Sequence, residues 1–459
     1  MPNIDNIKKY KKIHMIGIGG ISMSGIAEIL TNWGFEVSGS DRSDSEILHI
    51  LNNAHIKTFI GHDAKNIEGT DCVVYTAAIS LDNPELVHAK ELGIPVIERS
   101  DFLGELTRCY QNTIAVSGTH GKTTTTSLVS LCFLEALKDP SIQVGAIIKD
   151  LDGNYRVGNS ENFIIEACEY VESFLKFSPK SEIILNIDND HLDYYKNIEN
   201  VKNAFIKYVK LLPEDGHLII NADDTNCLDL PIYSKAPTIK YGIENEDVDF
   251  SVKNLVFDEN GLPEFDCYKY NEFFAHFKLS IPGRHNVLNA LSCIALCDTY
   301  GISVDCMKSA LEKFTGADRR FQFKGIVNGA KVYDDYGHHP TEVSATAKAL
   351  NNKKFNKSWV VFQPHTYSRT FNLLNDFAQA LLSFDNIIVT DIYAARETNT
   401  YNISAEDLVN SIKKLGKNAI YISSLETCAT YLKEHVKEDD VVLTLGAGTV
   451  TSIGPMIVD

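Results

Sequence analysis

The sequence contains no C-x-x-C pair, no long apolar run and no excess of basic residues. Its ten cysteines are scattered, so the pattern predicts neither a zinc framework nor a dense set of disulfides, and a reducing compartment fits best. Because no run approaches about 18 apolar residues and the first residues lack an apolar core, neither a membrane span nor a signal peptide is expected. A cytoplasmic protein is predicted.

Acidic residues outnumber basic ones, 61 against 43, which gives a formal net charge of -18. Binding to nucleic acid requires clustered Lys and Arg, so this charge balance argues against a nucleic-acid partner. An anionic substrate must instead be bound by local cations or by backbone amides. With 459 residues, of which 44% are hydrophobic, the chain is long enough for three domains.

A glycine-rich stretch from Ser117 to Thr125 lies between an apolar run and a helical pattern. A strand that turns through glycines into a helix presents backbone N–H groups and the positive end of the helix to an anion. Lys122 is placed to reach the outer phosphates of ATP, and the Thr123 hydroxyl is placed to bind Mg²⁺. The spacing differs from the standard phosphate loop, so a plain glycine-rich turn is the alternative. The ATP-binding residues predicted in this stretch are Gly118, Thr119, His120, Gly121, Lys122, Thr123 and Thr124.

A second glycine turn follows an apolar strand near the N-terminus. A strand, a glycine turn, a helix and a second strand form a βαβ unit that binds a nucleotide diphosphate. Ser22 stands where the third glycine of a dinucleotide-binding turn is expected, so a nicotinamide cofactor is disfavoured and another nucleotide diphosphate remains open. The alternative is a turn that only packs a helix on a strand. The residues predicted for this site are Gly17, Gly19, Gly20, Ser22 and Asp41.

Polar side chains follow two strand-like runs of the middle region. Glu166 ends one run, and His191 follows the next. Because the carboxyl ends of parallel strands meet at the ligand crevice, both side chains are expected beside Thr123, where the three could complete the shell of Mg²⁺. A structural role is the alternative for His191. The interpretation of four nearby acidic residues is that they are solvated charges: Glu169, Glu172, Asp190 and Asp193.

Farther along the chain, Asn286 and Asn289 share one face of a predicted helix, where their amides could bind an adenine edge or cap the helix. The turn at 315–321 contains Arg319 and Arg320 and so offers a guanidinium suited to a γ-phosphate. The last region has three strand-like runs, each followed by a polar loop, which is typical of a doubly wound unit that holds a small polar substrate. For the pair His338 and His339, the alternative is a packed turn.

Eight motifs occur in one order over the whole chain. They are G-I-G-G-x-S-M-S-G-I-A, G-T-H-G-K-T-T-T, E-A-C-E, D-H-x-D-Y, G-R-H-N-V-L-N-A, R-R-F, D-D-Y-G-H-H-P-T-E and F-Q-P-H-T-Y-S-R-T. Together they resemble the Mur ligases of peptidoglycan synthesis. The resemblance implies an α/β fold of three domains: an N-terminal Rossmann-like domain for a UDP-sugar (1–111), a central P-loop-type ATPase sheet (112–322) and a C-terminal Rossmann-like domain for the incoming amino acid (323–459).

The resemblance also implies ATP and Mg²⁺ as cofactors, UDP-N-acetylmuramate and L-alanine as substrates, and an acyl-phosphate intermediate. A ligase for a murein tripeptide and, more remotely, a nicotinamide-dependent dehydrogenase are the alternatives. No nucleic acid or membrane is expected as a partner, and the protein would be a monomer or a homodimer. The residues implied to be catalytic are Lys122, His191, Arg320 and His338. Those implied for ATP and metal are Lys122, Thr123, Glu166, His191 and Arg320, with Asn286, Asn289 and Asp335 near adenosine, and those implied for the amino acid are Tyr336, His338, His365 and Arg369.

The loop at 363–370 is the expected alanine site. Ser368 is predicted to cap a helix that begins near Arg369, whose planar guanidinium would bind the alanine carboxylate. His365, with an ordinary pKa of about 6.5, could take the proton that the ammonium must lose. A surface ion pair is the alternative for Arg369, and Thr366 stands where relatives often have an arginine.

Overall fold

The computed structural model describes residues 2–151, 153–395 and 397–458. The chain folds into two compact units. The first comprises Met1–Asp188, Ile198–Phe250 and Leu291–Ala310, and the second comprises Asn189–Asn197, Ser251–Ala290 and Leu311–Asp459. Among the described residues, no helix is both long enough and apolar enough to cross a membrane.

The N-terminal sheet of the first unit has five parallel strands in the order β3-β2-β1-β4-β5. Strand β1 is buried at four of its five positions, and the chain then turns at Gly17, whose φ of 82° favours glycine, before it enters α1. This is the predicted Rossmann-like arrangement. Its elements are β1 (Lys12–Ile16), α1 (Ile21–Asn32), β2 (Glu36–Asp41), α2 (Glu46–Asn53), β3 (Lys57–Ile60), β4 (Cys72–Tyr75), α3 (Pro84–Glu91), β5 (Val96–Glu98) and α4 (Arg99–Thr107).

The central sheet contains seven strands of the first unit in the order β12-β11-β10-β6-β9-β7-β8, and all its pairs are parallel except β7 with β8. Strand β6 is buried and lies in the interior of this sheet. Its C-terminal end therefore lies at the edge formed by the carboxyl ends of the parallel strands, which is where ligands bind in such sheets. The strands of this sheet and the helices found along the same stretch of chain are β6 (Asn112–Ser117), α5 (Lys122–Glu135), β7 (Ser141–Ile148), β8 (Gly153–Arg156), β9 (Asn162–Glu166), β10 (Ser181–Ile184), α6 (Leu192–Tyr195), α7 (Ile198–Val209), β11 (His217–Asn221) and β12 (Thr238–Gly242).

Three more strands and two helices follow before the last sheet. They are β13 (Phe250–Phe257), β14 (Pro263–Lys269), β15 (Glu272–Lys278), α8 (Arg284–Thr299) and α9 (Val304–Lys313).

The C-terminal sheet of the second unit has six strands in the order β16-β17-β21-β18-β19-β20, of which only β16 runs antiparallel. Apolar clusters cover it on both faces, one centred on Phe362 and Phe377 and the other on Trp359 and Leu432. Its elements are β16 (Gln322–Val327), β17 (Ala330–Asp335), α10 (Pro340–Asn351), β18 (Ser358–Phe362), α11 (Tyr367–Asn372), α12 (Leu374–Leu381), β19 (Asn386–Val389), α13 (Ala405–Lys414), β20 (Ala419–Tyr421), α14 (Leu425–His435), β21 (Val441–Leu445) and α15 (Ile453–Ile457).

Three α/β sheets therefore follow one another along the chain, as predicted. The domain boundaries after residues 111 and 322 stay predictions.

Candidate active site

The loop between β6 and α5 has the geometry of an anion site. Gly118 and Gly121 have φ values of 134° and 86°, which other residues adopt only with strain. A Cβ at Gly118 would lie 2.9 Å from the Leu185 Cβ, so the loop backbone also passes too close to the next strand for a side chain. Helix α5 begins at Lys122 with no acidic residue in its first turn, so its N-terminal amides and dipole are available to a phosphate group.

The segment after β10 holds this loop in shape. The amide of His120 donates to the Asn186 side chain at 2.7 Å, and the Asn186 amide group donates back to the His120 carbonyl at 3.0 Å. The amide of Asp188 donates to the Thr119 hydroxyl at 2.9 Å, and its carboxylate lies 3.1 Å from the His120 Nε2. Thr119 and His120 thus set the loop conformation. Asn186 and Asp188 were not singled out from the sequence.

Lys122 lies inside the loop and is bonded to it. Its Nζ donates to the carbonyls of Gly118 and Thr119 at 2.6 and 3.0 Å and to the Glu169 carboxylate at 2.9 Å. Although burial acts against the ammonium, the charge of Glu169 raises the pKa of Lys122 above its ordinary value, so the side chain stays charged. The interpretation of Glu169 as a solvated charge was wrong, because the chain turns back after β9 and buries this side chain, which is 1% exposed.

Thr123 and Glu166 lie together, as the sequence predicted. The Thr123 hydroxyl donates to Glu166 Oε1 at 3.2 Å, and the amide of Gly145 donates to Oε2 at 2.8 Å. Mg²⁺ accepts both a hydroxyl and a carboxylate as ligands. Thr123 lies in the first turn of α5, which would meet the phosphates, and the Glu166 carboxylate lies beside it. The donor set therefore fits a magnesium ion.

His191 belongs to the second unit, in the segment Asn189–Asn197. It has a φ of 53° and precedes α6, and its amide donates to the carboxylate of Asp190 at 2.7 Å. Its role as a magnesium ligand beside Thr123 stays a prediction.

Asp190 is the centre of a charged group in the second unit. It is buried, and its Oδ1 accepts from Arg369 Nε at 3.2 Å and from Nη2 at 2.8 Å. Burial by itself would raise the pKa of Asp190, but the guanidinium of Arg369 and three nearby imidazoles outweigh it and hold this pKa well below its usual range. Asp190 is therefore not a solvated charge, and the acidic partner of Arg369 is buried and not on the surface.

Two histidines adjoin this ion pair. The Nη1 of Arg369 donates to His365 Nδ1 at 3.0 Å, and the rings of His365 and His338 lie 5.6 Å apart. His338 Nδ1 lies 3.1 Å from the Tyr336 carbonyl, to which it can only donate, so His338 Nε2 carries the lone pair. Burial lowers the pKa of each ring to about 4, opposed for His338 by the charge of Glu342 and reinforced for His365 by His338 and Arg369. Both imidazoles are neutral at neutral pH, and the pKa of His365 is lower than the value of about 6.5 assumed from the sequence.

The helix after β18 begins earlier than predicted. Helix α11 starts at Tyr367, and its N-cap is Thr366, whose hydroxyl accepts from the Arg369 amide at 3.4 Å. Ser368 is not the cap, because its amide donates to the Glu397 carboxylate at 2.8 Å. Thr366 therefore has a structural role here.

Asn286, Asn289 and Asp335, which are predicted to lie near adenosine, form hydrogen bonds within the second unit. The Asn286 amide group donates to the Pro282 carbonyl at 2.7 Å, and Asn289 donates to the Asn286 side chain at 3.0 Å, which favours the bracing of the α8 N-terminus over an adenine contact. The Asp335 carboxylate accepts from the amides of Phe321 and Gly337, each at 2.8 Å. These contacts show that Asn286, Asn289 and Asp335 take part in the framework, and their place near adenosine stays a prediction.

Two arginines flank the aromatic ring of Tyr336. The guanidinium carbons of Arg319 and Arg320 lie 4.8 and 5.2 Å from its centroid. Arg319 donates to the carbonyls of the glycine turn after β21, whereas Arg320 makes a long ion pair of 3.9 Å with Glu342. Arg320 is thus the less committed of the two cations and the better suited to a phosphate.

The glycine turn after β1 is stabilised by Asp41. The amide of Gly19 donates to the Asp41 carboxylate at 2.9 Å, and the amide of Gly20 donates to the Gly17 carbonyl at 3.1 Å. A Cβ at Gly19 would lie 2.9 Å from the same carboxylate. Ser22 lies apart from these groups and accepts from Gln143 Nε2 at 2.6 Å, so its predicted contact with the UDP-sugar has an internal competitor.

Three family models match successive parts of the chain. They are described as the Mur ligase family catalytic domain (residues 12–111), the Mur ligase middle domain (116–297) and the Mur ligase glutamate ligase domain (319–448).

The chain is similar over nearly its whole length to proteins named UDP-N-acetylmuramate--L-alanine ligase. It is 47% identical to that of Acetivibrio thermocellus, with 98% of this chain and 96% of the relative covered. It is also 47% identical to that of Clostridium novyi, with 98% and 97% covered. Among solved structures, the UDP-N-acetylmuramate-alanine ligase of Thermotoga maritima matches with a TM-score of 0.81 at 31% identity, with 97% of this chain and 98% of that chain covered. A murein peptide ligase of Psychrobacter arcticus matches with a TM-score of 0.72 at 22% identity, with 97% and 98% covered, and shows the fold alone.

Proposed function

The chain belongs to the Mur ligase family, and from that premise we propose that it joins L-alanine to the carboxylate of UDP-N-acetylmuramate, with ATP as the energy source, in the synthesis of peptidoglycan precursors. The observation that carries this proposal is the identity of 47% over 98% of the chain to ligases named for this substrate pair. The phosphate loop with its bonded Lys122 supports the use of ATP. A cytoplasmic location and a monomeric or homodimeric state remain predictions.

The reaction has two steps. An oxygen of the muramate carboxylate attacks the γ-phosphorus of ATP, ADP leaves, and an acyl phosphate forms. The alanine amine, once it has lost a proton, attacks the acyl carbon, and the tetrahedral intermediate expels inorganic phosphate. Negative charge develops on the phosphoryl group in the first step, so fixed cations and amides stabilise it most.

The residues of the phosphate loop would bind the nucleotide. Lys122 is a charged donor beside the N-terminal amides of α5, and the loop conformation is preset by Asn186 and Asp188. Thr123 and Glu166 would hold Mg²⁺, which when bound would neutralise phosphate charge, and a contribution from His191 stays a prediction. Arg320 would supply a further cation for the transferring phosphoryl group.

The group around Arg369 would bind alanine. A guanidinium has five N–H donors. Asp190 and His365 take three of those of Arg369, which leaves one on each terminal nitrogen for the alanine carboxylate. The lone pair of His338 Nε2 would accept from the alanine amine. Since the pKa of His338 is about 4, this ring orients the amine and is a weak base.

The glycine turn after β1 would bind the UDP-sugar. The backbone of Gly17, Gly19 and Gly20 can approach a pyrophosphate closely because these residues have no Cβ. The carboxylate of Asp41, which already accepts from Gly19, is placed at the end of β2, where a ribose hydroxyl would be bound.

A phosphate-release assay tests the proposed function. With ATP, Mg²⁺ and UDP-N-acetylmuramate, we expect release that depends on L-alanine, and mass spectrometry should find the alanyl product. Glycine, L-serine and a murein tripeptide complete the panel. Release with the tripeptide but not with L-alanine would assign the protein to peptide salvage, and turnover of NADH without phosphate release would overturn the ligase assignment.

A further inference from the structure

Three cysteines that are distant in sequence meet in the core of the first unit. Cys132 lies on α5, and Cys293 and Cys297 lie four residues apart on α8, so they share one face of that helix. All three are fully buried, and none forms a disulfide. The Sγ of Cys293 is 3.7 Å from that of Cys132 and 3.8 Å from that of Cys297, and all three sulfurs lie within 4.8 Å of one another.

These distances match a metal site that is ready to form. A Zn²⁺ ion has Zn–S bonds of about 2.3 Å, and two sulfurs of its tetrahedron are therefore about 3.8 Å apart. Two packed thiols can reach a similar spacing, but a triangle of three sulfurs from two helices is the face of a coordination shell. All three sulfurs lie within 4.8 Å of one another, so small side-chain rotations would bring them to bonding distance of a common centre.

We propose that Cys132, Cys293 and Cys297 bind one thiophilic cation, Zn²⁺ or Cu⁺. Thiolate ligands favour these two ions over the hard Mg²⁺ that the ligase reaction uses. The two candidates differ in their needs: Zn²⁺ takes a fourth ligand such as water, whereas three thiolates suffice for Cu⁺. Because the sulfurs are buried, the ion would enter while the chain folds, and its binding energy would add to the stability of the fold.

The site would join α5 to the part of α8 that belongs to the first unit, which begins at Leu291. Helix α5 carries the phosphate loop at its N-terminus, and Cys132 lies near its other end. A bound ion would fix α5 to α8 and so hold the loop steady, without contact with the nucleotide. This role is independent of the proposed function, because it requires no particular substrate.

The test is metal content and its effect on stability. The full chain is unfolded in denaturant with a thiol reductant and refolded with Zn²⁺, with Cu⁺ under nitrogen, or with Mg²⁺ alone, and then gel-filtered and analysed by inorganic mass spectrometry. We expect about one equivalent of Zn²⁺ or of Cu⁺ per chain and a higher Tm than after refolding in Mg²⁺. The ion retained when Zn²⁺ and Cu⁺ compete is the ion that the site prefers.

Variants separate this site from metal bound elsewhere. Cys293→Ser should lower the affinity for the ion at least about a hundredfold, since one of three ligands is lost, and the Tm gain should vanish. Cys227→Ser, at another fully buried cysteine, should keep both. If Cys293→Ser does not fold, Cys297→Ala serves in its place. A parent chain that retains less than a tenth of an equivalent of either ion, or equal retention by the triad variants, would overturn the proposal.

Discussion

Lys122 of the phosphate loop and Arg369 of the second unit are both held by buried carboxylates, but they differ in what remains for a substrate. Lys122 has three N–H donors, and Gly118, Thr119 and Glu169 engage its ammonium. Arg369 has five donors and spends three on Asp190 and His365. A phosphate must therefore exchange with partners that Lys122 already has, whereas a carboxylate can add to Arg369 without displacing any. The number and arrangement of the N–H donors on each cation therefore decide whether a substrate replaces existing hydrogen bonds or adds to them.

The largest effect is expected where the cation has no substitute. Lys122→Met should lower kcat/KM by at least about 10³-fold, because a buried charge that stabilises the transferring phosphoryl group is lost. Calorimetric binding of UDP-N-acetylmuramate should be unchanged. Lys414→Met, on the exposed face of α13, is the matched control. Parental turnover in the Lys122 variant would remove this residue from the reaction.

Removal of the Asp190 carboxylate tests its ion pair with Arg369. Asp190→Asn should lower the free energy of unfolding by about 3 kcal/mol, because it leaves the Arg369 charge buried without its partner. Asp139→Asn, in the half-exposed pair with Arg156, should cost less than about 1 kcal/mol.

A double variant and a pH series check this result. Asp190→Asn with Arg369→Met should recover part of the loss, since no unpaired charge remains. The pKa of Asp190 is lowered in the folded state, so its contribution is present above its unfolded pKa and is lost as the pH falls below about 4. Equal unfolding curves for the single variant and the parent would show that the pair does not hold the fold.

Glu182 supplies the contrasting case, a carboxylate without a cationic partner among the residues that the structure describes. It is fully buried on β10, neither oxygen has a hydrogen-bond partner, and burial raises its pKa well above the ordinary value. The folded state thus favours the neutral acid, and its cost to stability grows as the pH rises above about 4. Glu182→Met should stabilise the protein by about 1–2 kcal/mol at pH 8 and by less at pH 5, as thermal unfolding at the two pH values would measure. A gain that is larger at pH 5 would contradict this account.

The smallest effect is expected where charge is kept and shape is changed. Arg369→Lys should raise the KM for L-alanine about tenfold, which corresponds to about 1.4 kcal/mol, because an ammonium cannot bind a carboxylate through two parallel bonds while it keeps Asp190. The KM for ATP should stay near the parental value. Arg156→Lys is the control at a guanidinium of the first unit, where it pairs with Asp139. Parental KM values for both substrates would place alanine elsewhere.

The two regions also differ in how far the sequence foretold them. The phosphate loop, the strand before it and the pairing of Thr123 with Glu166 follow from local patterns, because glycine conformation and strand-end position are local properties. The burial of Asp190 was missed, since it depends on Arg369, 179 residues away. For the same reason, a spacing rule for cysteines could not bring Cys132 to a helix 161 residues farther along. Contacts of this range are set by the fold and leave no short motif.

The backbone at Thr366 has a further consequence. Its φ of 64° and ψ of 147° lie in a region populated almost only by glycine, and a β-branched residue there stores on the order of 1–3 kcal/mol of conformational strain. Hydrogen bonds hold its backbone in place: its amide donates to the Tyr393 carbonyl at 2.9 Å, and its carbonyl accepts from the Thr370 amide at 3.2 Å and from the Thr370 hydroxyl at 2.7 Å. The turn that carries His365 and Arg369 therefore contains a strained residue, which its hydrogen bonds keep in place. Glycine at this position would remove the strain and stabilise the chain. The side chains of His365 and Arg369 would then lie on a more flexible turn and be held less precisely in position.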